Sequence, residues 1–293
     1  MTIAPTGTQY PLSVGRSRAV VTEVGAVLRS LTVDGRELLW TFAEDQAPRS
    51  SMGRQLIPWP NRIRDGRYRF GGGDYQLPIT EVPRHNASHG LGVGLPWELV
   101  SHTDDAITQR ATYYPQAGWP FVLTAEITHR LSAEGIAVTV EARNDGPTEL
   151  PYGYGVHPYF AVPEGVETAR LRSPFSRRLL VDERMLPTDL VLSEGDYDLS
   201  EGVTIGGLAL DTAFTGASGA WEVELTTAAS TITVWADESL PWCQLFIPAS
   251  RDAVAVEPMT CGPDAFNPGP THDDLLVLRP GDTHRARWGI RVA

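Results

Sequence analysis

Apolar and polar residues alternate along residues 136–146, IAVTVEARNDG, and the alternation stops at a turn sequence. In an extended strand, Ile136, Val138 and Val140 share one face and Glu141 lies on the other, because successive side chains point to opposite faces. The final Asn-Asp-Gly sequence favours a turn. This stretch predicts a β-strand that is buried on one face.

The same two-residue period recurs in three later segments, with apolar residues at Trp221, Val223 and Leu225, at Ile232 and Val234, and at Trp288, Ile290 and Val292. The chain also contains 28 glycines and 23 prolines, which favour many turns over long helices. No segment carries an amphipathic helix of 12 residues, although residues 182–190 and 273–276 are each expected to form one helical turn. Asp34-Gly35 and Asp65-Gly66 are each expected to close a hairpin. The patterns therefore predict an all-β, antiparallel protein with one domain over residues 1–293.

Composition excludes several classes of partner. The net charge of −12 argues against nucleic acid and against an anionic membrane surface. Residues 1–10 show no signal peptide, and no apolar run approaches 18 residues, so we expect a cytoplasmic protein with no membrane partner. Cys243 and Cys261 have no zinc-type spacing and are expected to be free thiols. His85 and His89 lie in a glycine-rich loop rather than on a helix, so no metal site is expected.

Four segments place polar residues among apolar or glycine residues: PWPNRI (58–63), NASHGLG (86–92), YGYGVHPYF (152–160), and VAVEP (254–258) followed by GPDAFN (262–267). Glu257 ends an apolar strand, where partial desolvation raises the pKa of a carboxyl and makes it a better base. The alternative is an ordinary glutamate paired with an arginine.

Histidines in two of these segments are candidate acids or bases. His157 stands among aromatic residues that suit the C–H face of a sugar, and an imidazole titrates near neutrality. The alternative is a core histidine bonded to a carbonyl. His89 precedes Gly90, which leaves room for a ligand or simply makes a turn. Arg62 either orients a sugar hydroxyl or forms a surface ion pair.

Taken in order, the motifs resemble those of the aldose 1-epimerase (galactose mutarotase-like) family. They are Asn61-Arg62-Ile63, Asn86 to Gly90, His157 to Phe160, Asp211 to Phe214, and Glu257-Pro258 with Pro263 to Asn267. The resemblance covers roughly the whole chain, and the sequence GYGVHPY is similar to that of a bacterial subgroup. Val156 and Ala161 depart from the family pattern, in which asparagine is common at both positions.

The resemblance implies a large antiparallel β-sandwich and an isomerase that interconverts the α and β anomers of a free aldose without a cofactor. It implies that Glu257 is the general base at the anomeric hydroxyl, that His157 is the general acid at the ring oxygen, and that His89 polarises that oxygen. Arg62 and Asp211 match residues that hold sugar hydroxyls, although Asp211 also suits a plain turn.

Four further residues are predicted to bind the sugar: Asn61 from the first motif, and the aromatic residues Trp59, Tyr159 and Trp242. Core packing is the alternative for the three aromatic residues. The expected partner is a small-molecule sugar, and the protein is expected to be a monomer or a homodimer.

Two other functions compete with this one. A glycoside hydrolase or lyase would use two carboxylates, Glu257 with Asp211 or Asp264, although the histidines argue against it. A non-catalytic carbohydrate-binding protein would need Arg62 and the aromatic residues but not both Glu257 and His157. Among the three, only an epimerase changes the optical rotation of a pure anomer without forming a new product.

Overall fold

A computed structural model describes residues 3–292, which form β-strands, turns and four short 3-10 helices with no α-helix. No helix among them is long and apolar enough to cross a membrane. The single domain expected over residues 1–293 includes Met1, Thr2 and Ala293, which lie outside the described residues, and it stays a prediction.

The first thirteen strands are β1 Gln9–Val14, β2 Ser17–Thr22, β3 Leu28–Val33, β4 Arg36–Glu37, β5 Gln55–Leu56, β6 Arg62–Arg64, β7 Arg67–Phe70, β8 Gly73–Gln76, β9 Asn86–Ser88, β10 Glu98–His102, β11 Ala106–Tyr113, β12 Leu123–Leu131 and β13 Gly135–Asn144. The others are β14 Leu150–Tyr152, β15 Gly155–Val156, β16 Tyr159–Ala161, β17 Arg170–Arg172, β18 Arg177–Val181, β19 Pro187–Leu192, β20 Val203–Thr204, β21 Asp211–Thr215, β22 Trp221–Thr226, β23 Thr231–Ala236, β24 Trp242–Phe246, β25 Ala253–Met259, β26 Leu276–Leu278 and β27 Thr283–Val292. The 3-10 helices are Val82–Arg84, Val166–Thr168, Gly195–Tyr197 and His272–Asp274.

All the alternating segments of the sequence lie in one nine-stranded antiparallel sheet, with the order β10-β11-β12-β13-β27-β23-β22-β17-β20. On β13 the inward residues Ile136, Val138 and Val140 are buried, whereas Glu141 points outward and pairs with Arg285. The predicted strands are therefore confirmed, and burial of one face explains their period.

An eight-stranded sheet supplies the other side of the core. Its order is β19-β18-β21-β24-β25-β15-β5, and β16 also pairs with β25. Every residue of β25 is buried. Val254 and Val256 pack in the main core, whereas Ala255 and Met259 belong to two smaller clusters on the opposite face. By alternation, Glu257 lies on this second face, between the two small clusters.

The turn predictions had mixed outcomes. Asp34-Gly35 closes the hairpin of β3 and β4, as predicted. The hairpin predicted at Asp65-Gly66 is wrong, because the chain turns there but β6 pairs with β9 and β7 pairs with β8. Partners elsewhere in the chain thus determine the pairing of these strands.

Helical turns and thiols were also predicted. Residues 182–190 form no helical turn, because strand β19 begins at Pro187, whereas His272–Asp274 does form one. Cys243 and Cys261 are free and buried, as expected.

Candidate active site

His157 and Glu257 meet on the face of the eight-stranded sheet that points away from the main core. Nε2 of His157 lies 3.3 Å from Oε1 of Glu257, and both side chains are buried. β15 and β16 pair with β25 in one continuous register, which includes Tyr159 opposite Ala255. Because residues two apart on a strand share a face, this register sets His157 directly opposite Glu257. The sheet therefore brings the predicted acid and base together.

Two more polar side chains lie in the same cross-sheet row. Gln244 on β24 is opposite Glu257 on its other side. On the other side of His157, Arg54 directly precedes β5, and its carbonyl accepts a hydrogen bond of 3.1 Å from the His157 N–H. The row therefore runs Arg54, His157, Glu257, Gln244.

His89 and Arg62 reach the site from two packed turns. β6 pairs with β9, and the His89 N–H donates to the Asn61 carbonyl at 2.8 Å. Asn61 and His89 both adopt positive φ, 53° and 62°, which is uncommon for residues other than glycine and typical of ligand sites. At Gly90 a Cβ would lie 2.1 Å from the Ile57 carbonyl oxygen, so glycine is required there.

A chain of hydrogen bonds joins the residues predicted to hold the sugar. Arg62 donates to both oxygens of Glu81, at 2.8 and 3.0 Å, and to Oδ1 of Asn61 at 3.0 Å. The Asn61 amide donates to Oε1 of Gln244 at 3.4 Å, and Nε2 of Gln244 donates to Asp211 at 2.7 Å. The structure therefore connects Arg62, Asn61 and Asp211 beside the pair.

The surroundings of Glu257 disfavour its charged form. Burial raises the pKa of the carboxyl well above its usual range, and the negative charge of Asp211 raises it further, while Arg62 opposes the shift. The apolar clusters on either side explain the desolvation. A carboxyl with a raised pKa is a stronger base once it is ionised.

The pKa values of both histidines are lowered, which favours the neutral imidazole. Burial lowers the pKa of His157 well below its usual range, with smaller contributions from His89 and Arg54. Burial, Arg62 and Arg54 lower the pKa of His89 to about 4, although Glu81 opposes the shift. Burial therefore favours the neutral forms of both groups of the His157–Glu257 pair, a protonated carboxyl and an uncharged imidazole.

Of the predicted aromatic residues, Tyr159 contacts a predicted catalytic residue. Its ring stacks on His157 with a centroid distance of 4.7 Å, and its hydroxyl donates to the Ser50 carbonyl. Trp242 lies beside Met259 on the site face but is fully buried, with its indole N–H bonded to Asp274. Trp59 is buried in the main core against Phe266, which favours core packing for this residue.

A cavity of about 630 Å³ opens in front of His89, and its walls include Arg54, Arg62, Glu81 and His89. His157 and Glu257 are not among the lining residues, but the ring centroid of His89 lies 5.5 Å from that of His157. His89 therefore joins the cavity wall to the pair. Within residues 3–292, no group of three His, Cys, Asp or Glu side chains is placed to hold a metal ion.

Sequence reasoning missed three members of the site. Gln244 is two residues after Trp242 on β24, so both side chains point to the same face of the sheet. This helps to identify Gln244 only when the neighbouring strand is known. Arg54 stands just before the apolar residues Leu56 and Ile57, and Glu81 has no local signal. Asp264, a candidate second carboxylate, is instead bound by the backbone N–H and the guanidinium of Arg64.

Comparison with known proteins agrees with this architecture. The pattern of the aldose 1-epimerase family matches residues 9–291. The chain is 34% identical over 289 residues to the uncharacterized protein YihR of Escherichia coli (strain K12), covering 97% of this chain and 93% of YihR. It is 26% identical to the galactose mutarotase of Mus musculus over 157 residues, which are 50% of this chain and 44% of that protein.

The fold also matches a solved structure. A galactose mutarotase-like protein from Clostridium acetobutylicum superposes with a TM-score of 0.84 at 19% identity, covering 97% of this chain and 94% of that one. The all-β architecture expected from the sequence is thus confirmed as galactose mutarotase-like. The chain belongs to the aldose 1-epimerase family.

Proposed function

We propose that this protein is an aldose 1-epimerase, an enzyme that interconverts the α and β anomers of a sugar by opening and reclosing its ring. The observation that carries the proposal is the buried contact of 3.3 Å between Nε2 of His157 and Oε1 of Glu257. A carboxylate and an imidazole side by side can take one proton and give one in the same step. Membership in the family supports this assignment.

Glu257 removes the proton from the anomeric hydroxyl, and His157 gives a proton to the ring oxygen. The bond between C1 and O5 breaks, and the electron pair of O1 forms the carbonyl of the open aldehyde. Rotation about C1–C2 presents the other face of the carbonyl to O5. Reclosure reverses both proton transfers and yields the other anomer. His89, at the cavity wall, polarises O5.

The proton count of the pair suits this cycle. Ring opening starts from carboxylate and imidazolium and ends with a protonated carboxyl and a neutral imidazole. Burial favours that second form. A proton that crosses from Glu257 to His157 prepares the pair for the ring-closed sugar. No net gain or loss of a proton is needed.

Arg62, Asn61 and Asp211 hold the sugar hydroxyls in this proposal, because hydrogen bonds already fix them beside the pair. Tyr159 orients His157 by stacking on its ring. Trp242 and Trp59 stay predictions as sugar contacts, and so do the cytoplasmic location and the monomeric or dimeric state.

A pure anomer, freshly dissolved, tests the proposal. Wild-type protein should accelerate the exchange of the anomeric proton signals in NMR, with no new product. Release of a second sugar or of an unsaturated product would instead indicate the hydrolase or lyase alternative. Binding without any acceleration would indicate a carbohydrate-binding protein.

A further inference from the structure

The tip of the hairpin that joins β18 and β19, residues 182–186, is bonded to segments far from it in the sequence. The guanidinium of Arg184 donates to the carbonyl oxygens of Arg84 and His85, at 3.0 and 3.1 Å. It also donates to a carboxylate oxygen of Asp65 at 2.8 Å. Because these acceptors belong to two separate segments, together they fix the place where the hairpin tip docks.

Asn86 connects this hairpin tip to Glu81. Its side-chain amide donates to the Arg184 carbonyl at 3.2 Å and to Oε2 of Glu81 at 3.1 Å, and its Oδ1 accepts from the Arg184 guanidinium at 3.3 Å. Asn86 is fully buried, and a buried amide with both donors in use has one orientation. The docked hairpin tip therefore determines where Asn86 holds the carboxylate of Glu81.

Glu81 in turn fixes the direction of the Arg62 guanidinium. Nε and Nη2 of Arg62 donate to the two oxygens of Glu81, and Nη1 donates to Asn61. These bonds occupy three of the five N–H groups of a guanidinium. Because the group is planar, the bidentate contact points the other two N–H groups in a fixed direction. Arg62 and Glu81 both line the cavity in front of His89, where a sugar hydroxyl would accept from them.

The partners of Glu81 differ in whether water can replace them. Burial raises the pKa of Glu81, but hydrogen bonds from Arg62, Asn86 and Arg84 outweigh burial and hold the pKa below its usual range. Arg84 is 42% exposed, so water can take over its bond to Glu81. Asn86 is fully buried, so the bond that it donates has no such substitute. Loss of Asn86 should therefore loosen the contact between Glu81 and Arg62, whereas loss of Arg84 should not.

We propose that Arg184 and Asn86 are positioning residues of the sugar site. They act through Glu81 on Arg62, and so the docked tip of the β18–β19 hairpin sets how tightly Arg62 binds a sugar hydroxyl. Arg184 and Asn86 are not among the residues that line the cavity, whereas Glu81 and Arg62 are. The inference rests on the proposed function, in which Arg62 holds the sugar.

The first test uses no sugar. In protein labelled with ¹⁵N-arginine, the Nε–H signal of Arg62 is identified by its loss in Arg62→Lys, and its hydrogen bond to Glu81 slows its exchange with water. Asn86→Ala and Arg184→Gln should each speed this exchange by about 10-fold or more, the effect of one charge-assisted hydrogen bond. Arg84→Gln should change it by less than about threefold. Wild-type exchange in both Asn86→Ala and Arg184→Gln would overturn the proposal.

The second test separates KM from kcat in anomer exchange, with the fastest of glucose, galactose and mannose as the probe. Arg184→Gln should raise KM by about 10-fold and change kcat by less than about threefold, because Glu257 and His157 are untouched. Arg184→Lys should restore part of the loss. Arg177→Gln is the matched control, since Arg177 is an exposed arginine of the same hairpin that bonds to the Leu190 carbonyl, and it should leave both constants unchanged.

A double variant distinguishes positioning from a general structural role. When Arg62→Gln is already present, Arg184→Gln should lower kcat/KM by less than about twofold, because it acts through Arg62. Equal losses with and without Arg62 would overturn the proposal. Arg184 is 33% exposed, so Arg184→Gln keeps the test valid even if Asn86→Ala does not fold.

The two tests also separate this inference from the proposed function. If no sugar exchanges anomers but the Arg62 signal responds to Asn86→Ala and Arg184→Gln as expected, the positioning of Arg62 stands and the proposed function fails. If a sugar exchanges rapidly and Arg184→Gln changes neither the Arg62 signal nor KM, the function stands and the positioning role is wrong.

Discussion

β13 and β25 are both inner strands of large antiparallel sheets, but their outward faces meet different surroundings. On β13 that face carries partly exposed residues such as Glu141, which pairs with an exposed arginine. On β25 it carries Glu257, which is 2% exposed and lies between two apolar clusters. A glutamate needs no explanation in the first setting, whereas burial of a carboxyl in the second is costly. The contrast shows that one residue type forms an ordinary surface ion pair on one sheet and is buried next to a histidine on the other.

The same substitution on the two strands should give the largest contrast. Glu257→Gln keeps the shape and removes the base, so kcat should fall by about 10²–10⁴-fold while sugar affinity changes much less. Glu141→Gln should leave kcat unchanged. Anomer exchange measured by polarimetry checks both, and near-native exchange in Glu257→Gln would transfer the base role to Asp211.

His157→Asn should lose activity to a similar extent, because the proton donor is removed. The double variant of His157 and Glu257 should lose less than the product of the two single losses, since both transfers serve one transition state. Fully multiplicative losses would argue against a shared step.

The core-facing sides of the two large sheets should respond alike to loss of a buried side chain. Ile127→Ala on β12 and Leu245→Ala on β24 each leave a cavity in the main core, where both side chains are fully buried. Each should lower the free energy of unfolding by about 2–5 kcal/mol. Urea unfolding gives these values, and kcat per folded molecule should stay at the wild-type level. A loss below about 1 kcal/mol in only one variant would show that the sheets do not share one core.

Acid should destabilise the protein through two buried histidines, one in the nine-stranded sheet and one at the candidate site. Burial lowers the pKa of His129 on β12 to about 3 and that of His89 at the site to about 4. As the pH falls from 6.5 toward 4, the unfolded chain binds a proton at each of these two histidines that the folded chain does not bind there. Stability should therefore fall by about 2–3 kcal/mol per pH unit.

His129→Leu should lower the slope in urea unfolding between pH 6.5 and 4.5 by about 1 kcal/mol per pH unit, the contribution of one proton, with exchange activity retained. An unchanged slope would mean that His129 is not a source of the acid sensitivity.

The smallest effect should come from the solvent side of the nine-stranded sheet. Glu141 and Arg285 are 43% and 66% exposed, and such pairs contribute about 0–1 kcal/mol. Glu141→Gln should change the free energy of unfolding by no more than that. Thermal unfolding at low and high salt checks the value, and a larger loss would show that the outer face supports the sheet.

The two sheets also differ in how far they can be predicted from sequence. Strands of the nine-stranded sheet show a two-residue period because one face is in water, so β13, β22, β23 and β27 were predictable. The eight-stranded sheet is buried on both faces at β25. The sequence therefore does not show which residues share a face until the strand pairing is known. Gln244 and Arg54 were missed for this reason, since their roles depend on which strands lie beside Glu257.

Local turn chemistry was a weaker guide than tertiary pairing. The dihedral angles at Asp65 and Gly66 suit a tight hairpin, with φ of 55° and 62°. Nevertheless, the Gly66 carbonyl accepts from the Leu77 N–H, and the flanking strands pair elsewhere. His89, His157 and Glu257 were identified through a family resemblance, and the structure places them together.

The 3.3 Å contact between His157 and Glu257 has a consequence for timing. Within the proposed reaction, the proton that prepares the pair for a ring-closed sugar passes from Glu257 to His157 through this contact, without leaving the buried site. Turnover then needs no resupply of protons from water or buffer between cycles. The enzyme would keep pace in dilute or weakly buffered solution, and its speed would depend on how fast sugars enter, rotate and leave.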